Sequence, residues 1–268
     1  AENDIWPNLI SEVGESGTPI LIFNTRMTPR EQTEHRWNGW LIRPALRHVS
    51  WWGVVQNGDA QWIETLFQLR QPPVEIMGSL KIDGVSRAKD SPNVQILRQM
   101  WGFSDSETIL VAGSTHAPEE EMMLTVYEQL QPLYPQLRLI LVPRNSTRFD
   151  EVAQRMARRG MSFKRVSEMD RPVLQSSLVT LADSLGQLRD IWGLADLAFV
   201  GGTFSTHGGH NLVEPASYGV PICFGPHVDN IRVIADELLS HQAAVRLASA
   251  EECRMTLLNW LDHPKEAA

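Results

Sequence analysis

The sequence predicts an α/β chain of two doubly wound, parallel-sheet domains. Short apolar runs of strand length alternate with amphipathic stretches that place apolar residues three and four apart, from about Thr108 onward. The same alternation runs earlier, from Pro19 to Met77. No apolar run approaches the ~20 residues a membrane-crossing helix needs, so the chain as given is expected to be soluble.

In chain order, apolar runs predict strands over 19–23, 49–55 and 74–77, with helical spacing over 29–40 and 60–69 between them. Residues 81–92 contain Asp83-Gly84, Lys89-Asp90 and Ser91-Pro92, a polar, turn-rich stretch that marks a domain junction. The expected domains are 1–83 and 84–268. In the second, strands are expected over 108–112, 137–142, 177–181, 197–200, 221–224 and 244–247. Helices are expected over 118–133, 149–159, 186–194, 211–218 and 230–239.

Composition narrows the function. With 268 residues, 43% of them apolar and 21% charged, the chain can build real cores, which excludes disordered and disulfide-scaffold classes. A net charge of −8 argues against a broad nucleic-acid footprint. Two cysteines, Cys223 and Cys253, match no zinc spacing and suit a reducing compartment. Arg outnumbers Lys by 20 to 4, which fits helix surfaces first and anion recognition second. Five of the nine Trp lie between Trp37 and Trp62; core packing and an apolar acceptor or membrane-facing surface are both open there.

Ligands of open parallel sheets sit beyond the carboxyl ends of the strands, so the strand exits carry the chemistry. Gly113-Ser114-Thr115-His116 follows one strand, with Glu119-Glu120-Glu121 opening the next helix. Ser114 or Thr115 could cap that helix, or their amides and hydroxyls could meet an anion. Val142-Pro143-Arg144 puts a guanidinium at a strand exit, suited to two-point contact with phosphate or to pairing with a helix acid. Asp183-Ser184-Leu185-Gly186-Gln187 is either a capped helix start or a place where a base or ribose approaches the backbone.

The strongest signal is Gly201-Gly202-Thr203-Phe204 followed by Gly208-Gly209-His210-Asn211, which is expected to open a helix bearing Glu214. Its amides and the helix dipole read as a phosphate cradle, and Glu214 as an acceptor for a ribose diol. Pro215 holds Glu214 in the first helical turn. The pattern is neither GxGxxG nor a P-loop, which disfavours NAD enzymes and P-loop NTPases.

These motifs resemble the Kdo transferases of lipopolysaccharide synthesis, which move 3-deoxy-D-manno-octulosonic acid (Kdo) from CMP-Kdo to lipid A precursors. The resemblance rests on the segment from Glu2 to Asn8, Gly78 to Asp83, Ala112 to His116, Val142-Pro143-Arg144, Asp183 to Gln187, Val200-Gly201-Gly202, and Gly208 through Ala216. It implies a GT-B architecture, with residues 1–83 a partial acceptor-side domain and residues 84–268 the CMP-sugar domain. It also implies CMP contacts at Pro143, Arg144, Leu185, Gly186, Gln187, Asn211, Leu212, Val213 and Glu214. A charge-stabilising pair is implied between Glu2 or Asp4 and Lys81. No metal or cofactor is implied. Partners would be the CMP-sugar and a lipid A precursor, at the cytoplasmic face of the bacterial inner membrane.

The sequence departs from the family pattern in places. The segment that normally reads Glu-Thr-Glu is Glu2-Asn3-Asp4, Met-Gly-Glu is Leu185-Gly186-Gln187, and the His after Pro-Arg is Asn145. The family's catalytic glutamate and membrane-anchoring start lie ahead of the Trp-Pro-Asn motif, and a helix that crosses back to the first domain follows the region where this sequence stops. The expectation is that the chain as given binds CMP and transfers little sugar. Two other readings remain: a UDP-sugar transferase or epimerase of the same architecture, and a noncatalytic nucleotide-binding remnant.

Overall fold

Strands buried on both faces need helices on both faces, and that requirement organises the larger part of this chain. The structure, a computed structural model, describes residues 6–25, 42–66, 72–78 and 89–264. The chain divides into two compact units, Ala1–Gly84 and Val85–Ala268.

In the first unit, α1 (Pro7–Glu15), β1 (Ile20–Thr25), β2 (Val49–Val54), α2 (Asn57–Leu66) and β3 (Val74–Ile76) are described. The strands pair in parallel in the order β1-β2-β3. One sheet face packs on Ile10, Leu46, Trp52, Trp62 and Ile63. Trp52 and Trp62 are thus core residues, whereas Trp51 lies tilted against half-exposed Phe23 with ring centroids 5.0 Å apart. The core-packing reading of the tryptophan cluster therefore holds for Trp52 and Trp62; Trp37 and Trp40 lie outside the described residues. So does the helix expected over 29–40.

The second unit contains α3 (Pro92–Met100), β4 (Thr108–Thr115), α4 (Glu119–Leu130), β5 (Leu137–Pro143), α5 (Phe149–Arg158), β6 (Phe163–Arg165) and β7 (Val179–Leu181). It continues with α6 (Leu188–Ile191), β8 (Leu197–Val200), α7 (Val213–Ala216), β9 (Ile222–Phe224), α8 (Arg232–Ser240), β10 (Ala244–Arg246) and α9 (Ala250–Asp262). Seven parallel strands run in the order β10-β9-β8-β4-β5-β7-β6. Side chains alternate across the sheet. Ile109 and Val111 join Val94, Trp192 and Phe224 on one face, and Leu110 and Ala112 join Tyr127, Met156 and Phe199 on the other. This is the doubly wound arrangement.

Several elements differ from expectation. The helix expected over 211–218 is the four-residue turn α7, since Pro215 must lie in its first turn and the chain turns left-handed at Gly219, φ +65°. The helix expected over 186–194 is four residues of α6 continued by a tighter turn through Leu194. Sequence periodicity missed α1, α3, α9 and the edge strand β6, which is three half-buried residues with no apolar run. Many arginines hold ion pairs along α4 and α5: Arg148 with buried Glu120, Arg155 with Glu151 of its own helix and with Glu121, and Arg159 with Glu121 and Glu128. Both cysteines are buried thiols.

Candidate functional site

From β4 the chain steps to β5 on one side, and from β8 it steps to β9 on the other. The neighbours β4 and β8 therefore diverge, which opens the crevice where doubly wound sheets hold their ligands. The exits of β4, β5 and β8 line it.

The exit of β4 is unusual. Ser114 has φ of 55°, a left-handed conformation that a non-glycine residue holds only when its surroundings impose it. Gly113 is required before it, because a Cβ there would lie 2.3 Å from the buried Trp192 ring. Ser114 and Thr115 do not cap α4: the residue before that helix is Pro118 and makes no side-chain cap. Thr115 Oγ1 is buried without a hydrogen-bond partner among the described residues.

The anion at this exit belongs to the chain itself. Glu119 is fully buried, and its carboxylate accepts four main-chain N–H groups. Oε2 takes His116 N at 2.9 Å and Gly202 N at 2.8 Å; Oε1 takes Thr203 N and Phe204 N, each at 2.8 Å. Successive amides in a turn make a concave anion seat, and four charge-assisted bonds offset the cost of burying a carboxylate. The amides of Gly202 and Thr203, expected to cradle a phosphate, are thus held by Glu119. Gly201 is glycine for the same reason, since a Cβ would lie 2.8 Å from Glu119 Oε2 and 2.5 Å from Ser114 O.

The second glycine pair hangs on the first. Gly209 N donates to Gly202 O at 2.8 Å, and Gly208 O accepts from Asn230 N at 3.0 Å. His210 covers Gly202, and its Nε2 meets His116 Nε2 at 2.8 Å, so one ring donates and the other accepts. His207 stacks on His116 with centroids 3.8 Å apart. Asn211 Oδ1 accepts from Val213 N, and its Nδ2 donates to Glu214 Oε1 at 3.2 Å, which fixes the glutamate of the four-residue turn. Leu212 is a core residue, which leaves its main chain for any ligand. With α7 so short, a helix dipole adds little; the cation whose charge reaches this loop, at His210, is Arg144.

Arg144 completes this edge. Its N–H donates to Thr115 O at 2.9 Å, tying the exit of β5 to that of β4, while its side chain is exposed and has no ion-pair partner among the described residues. Farther along, the exit of β7 carries Leu185, 73% exposed, and Gly186 at φ +87°. Asp183 does not cap α6; it binds Arg165 and Ser167, whose hydrogen bonds outweigh burial and lower its pKa. Ser184 donates to Gln187. Glu2, Asp4 and Lys81 lie outside the described residues.

Burial, then the neighbouring His116 and Arg144, lower the pKa of His210 from 6.5 to about 4. Burial, His207 and Arg144 likewise lower that of His116. Both rings are neutral at pH 7. An unfolded chain binds the proton that folded His210 refuses, so stability is full above pH 6.5 and falls as pH drops toward 4. The expected result is that His210→Asn flattens the pH dependence of the unfolding midpoint across that window, read by urea denaturation at a series of pH values.

With this geometry in place, the relatives are informative. The crystal structure of the C-terminal CMP-Kdo binding domain of WaaA from Acinetobacter baumannii is 32% identical, with a TM-score of 0.60 over 65% of this chain and 89% of that one. The chain belongs to the Kdo transferase family. A family model described as 3-deoxy-D-manno-octulosonic-acid transferase (kdotransferase) matches residues 1–84. A 3-deoxy-D-manno-octulosonic acid transferase of Haemophilus influenzae is 30% identical over 270 residues, 99% of this chain. The chain spans 61% of that relative's length. The α,α-trehalose 6-phosphate synthase of Burkholderia multivorans, 11% identical with a TM-score of 0.52 over 99% of this chain and 63% of its own, shares the fold. The architecture is GT-B. Among the described residues of this family member, no helix is long and apolar enough to cross a membrane.

Sequence reasoning missed Glu119 and His207. The run Glu119-Glu120-Glu121 reads as a helix start, yet buried Glu120 pairs with Arg148 and Glu121 with Arg155 and Arg159, and Glu119 is the one seated on the loop amides. A glycine turn whose amides need an acceptor was the available signal.

Proposed function

We propose that the chain carries the donor-holding part of an inverting glycosyltransferase that moves Kdo from CMP-Kdo to a lipid A precursor at the cytoplasmic face of the bacterial inner membrane. The observation that carries this reading is the meeting of His116, Arg144 and the Gly208–Glu214 loop at one switch point, in a chain whose relative is a CMP-Kdo binding domain. Arg144 faces the leaving phosphate with two donors, and the main chain of Gly208 to Asn211 faces its other oxygens. Glu214, oriented by Asn211, accepts from the ribose diol. Exposed Leu185 packs on the base, with Gly186 and Gln187 beside it and Pro143 setting the strand exit.

In this proposal an acceptor hydroxyl attacks the anomeric carbon as CMP departs from the opposite side. The hydroxyl proton goes to a general base, which the family resemblance places ahead of the Trp-Pro-Asn motif. Lys81 with Glu2 or Asp4 stabilises charge, and neither a metal ion nor a cofactor is required. Calorimetric titration with CMP and UMP tests the nucleotide assignment. Saturable binding of CMP, tighter than that of UMP, is expected; absence of CMP binding overturns it.

A further inference from the structure

We propose that Glu119 is a positioning residue of the nucleotide site, setting the His116–His210 contact by clamping the exits of β4 and β8 on one carboxylate. The same oxygen, Oε2, receives His116 N from one exit and Gly202 N from the other, so the two loops share an anchor atom. Oε1 then fixes Thr203 and Phe204, which hold the Gly202 turn in its left-handed conformation, φ +73°. From that turn Gly202 O binds Gly209 N, and the next residue is His210, whose Nε2 lies 2.8 Å from His116 Nε2. Every link from carboxylate to imidazole pair is a hydrogen bond or a covalent neighbour. A carboxylate offers acceptors on both of its oxygens, whereas a carboxamide turns an N–H₂ toward two of the four donors. Charge and shape are therefore both required at this position.

The experiment compares Glu119→Gln with Glu107→Gln, each labelled with 15N at histidine. Glu107 is also a buried carboxylate with several partners, Arg138 at 2.7 Å and Ser104 N at 2.8 Å among them, but it precedes β4 at the opposite end of the sheet. The expected result is that Glu119→Gln shifts the Nε2 resonances of His116 and His210 and weakens CMP binding about tenfold, while Glu107→Gln changes neither, even where both lower stability alike. Unchanged imidazole resonances in Glu119→Gln, or equal shifts in both variants, would overturn the inference. If Glu119→Gln does not fold, Glu119→Asp keeps the charge one methylene short; displaced Nε2 resonances in it support the clamp, and native ones refute it. The inference rests on the nucleotide reading only for its affinity arm. A wild-type chain that ignores CMP sinks that reading, while the imidazole resonances still decide the role of Glu119.

Discussion

Arg144→Ala is expected to weaken CMP binding by about ten- to a hundredfold while leaving the unfolding midpoint in urea unchanged. The side chain is exposed and without an ion-pair partner among the described residues, so its removal leaves no buried group unpaired. The structural tie of this residue is its main-chain N–H to Thr115 O, which the substitution retains. A guanidinium gripping a phosphate through two N–H groups contributes about 1.5–3 kcal/mol, which is the stated range of affinity. Arg144→Lys keeps the charge but not the paired donors and should fall between the two. A second readout follows from the same cation. Arg144 helps hold down the pKa values of His116 and His210, so its loss raises both, measurable by histidine titration in NMR.

Gly202→Ala is expected to cost about 2–3 kcal/mol of stability and to abolish detectable CMP binding, because it adds strain at a left-handed residue and a collision. A Cβ there would lie 2.7 Å from His210 Cδ2 and 3.0 Å from its Nε2, so the imidazole must leave His116. Gly219 is the natural comparison. It too is left-handed, at φ +65°, but a Cβ there meets nothing within 4 Å, so Gly219→Ala pays backbone strain alone, about 1 kcal/mol. Denaturation of the two variants side by side separates the terms; equal losses would show that His210 does not occupy the space over Gly202.

The sheet of the second unit was legible because its central strands, such as Leu137–Pro143 and Leu197–Val200, are apolar runs of strand length separated by helices. The three-residue strand Phe163–Arg165 was not legible, since an edge strand buries too little to leave a pattern. Arg144 and the glycine pairs could be found from their place after apolar runs. What those glycines serve could not be found that way. Gly201 and Gly202 read as room for a ligand's phosphate, and the structure fills that room with Glu119 from 83 residues upstream of Gly202 and with the ring of His210. Sequence marks where backbone must come close to an acceptor; it does not say whether the acceptor is foreign or the chain's own. Likewise Asn211 announced a helix start, but the helix begins only at Val213, with Pro215 in its first turn, and ends at Ala216 ahead of left-handed Gly219.

The most direct measurement is a crystal structure of the chain soaked with CMP. The phosphate is expected between the Arg144 guanidinium and the Gly208–Asn211 loop, with Glu119 still seated on the amides of Gly202, Thr203 and Phe204. A phosphate found on those three amides with Glu119 expelled, or a nucleotide bound away from the exits of β4, β5 and β8, would contradict the site described above.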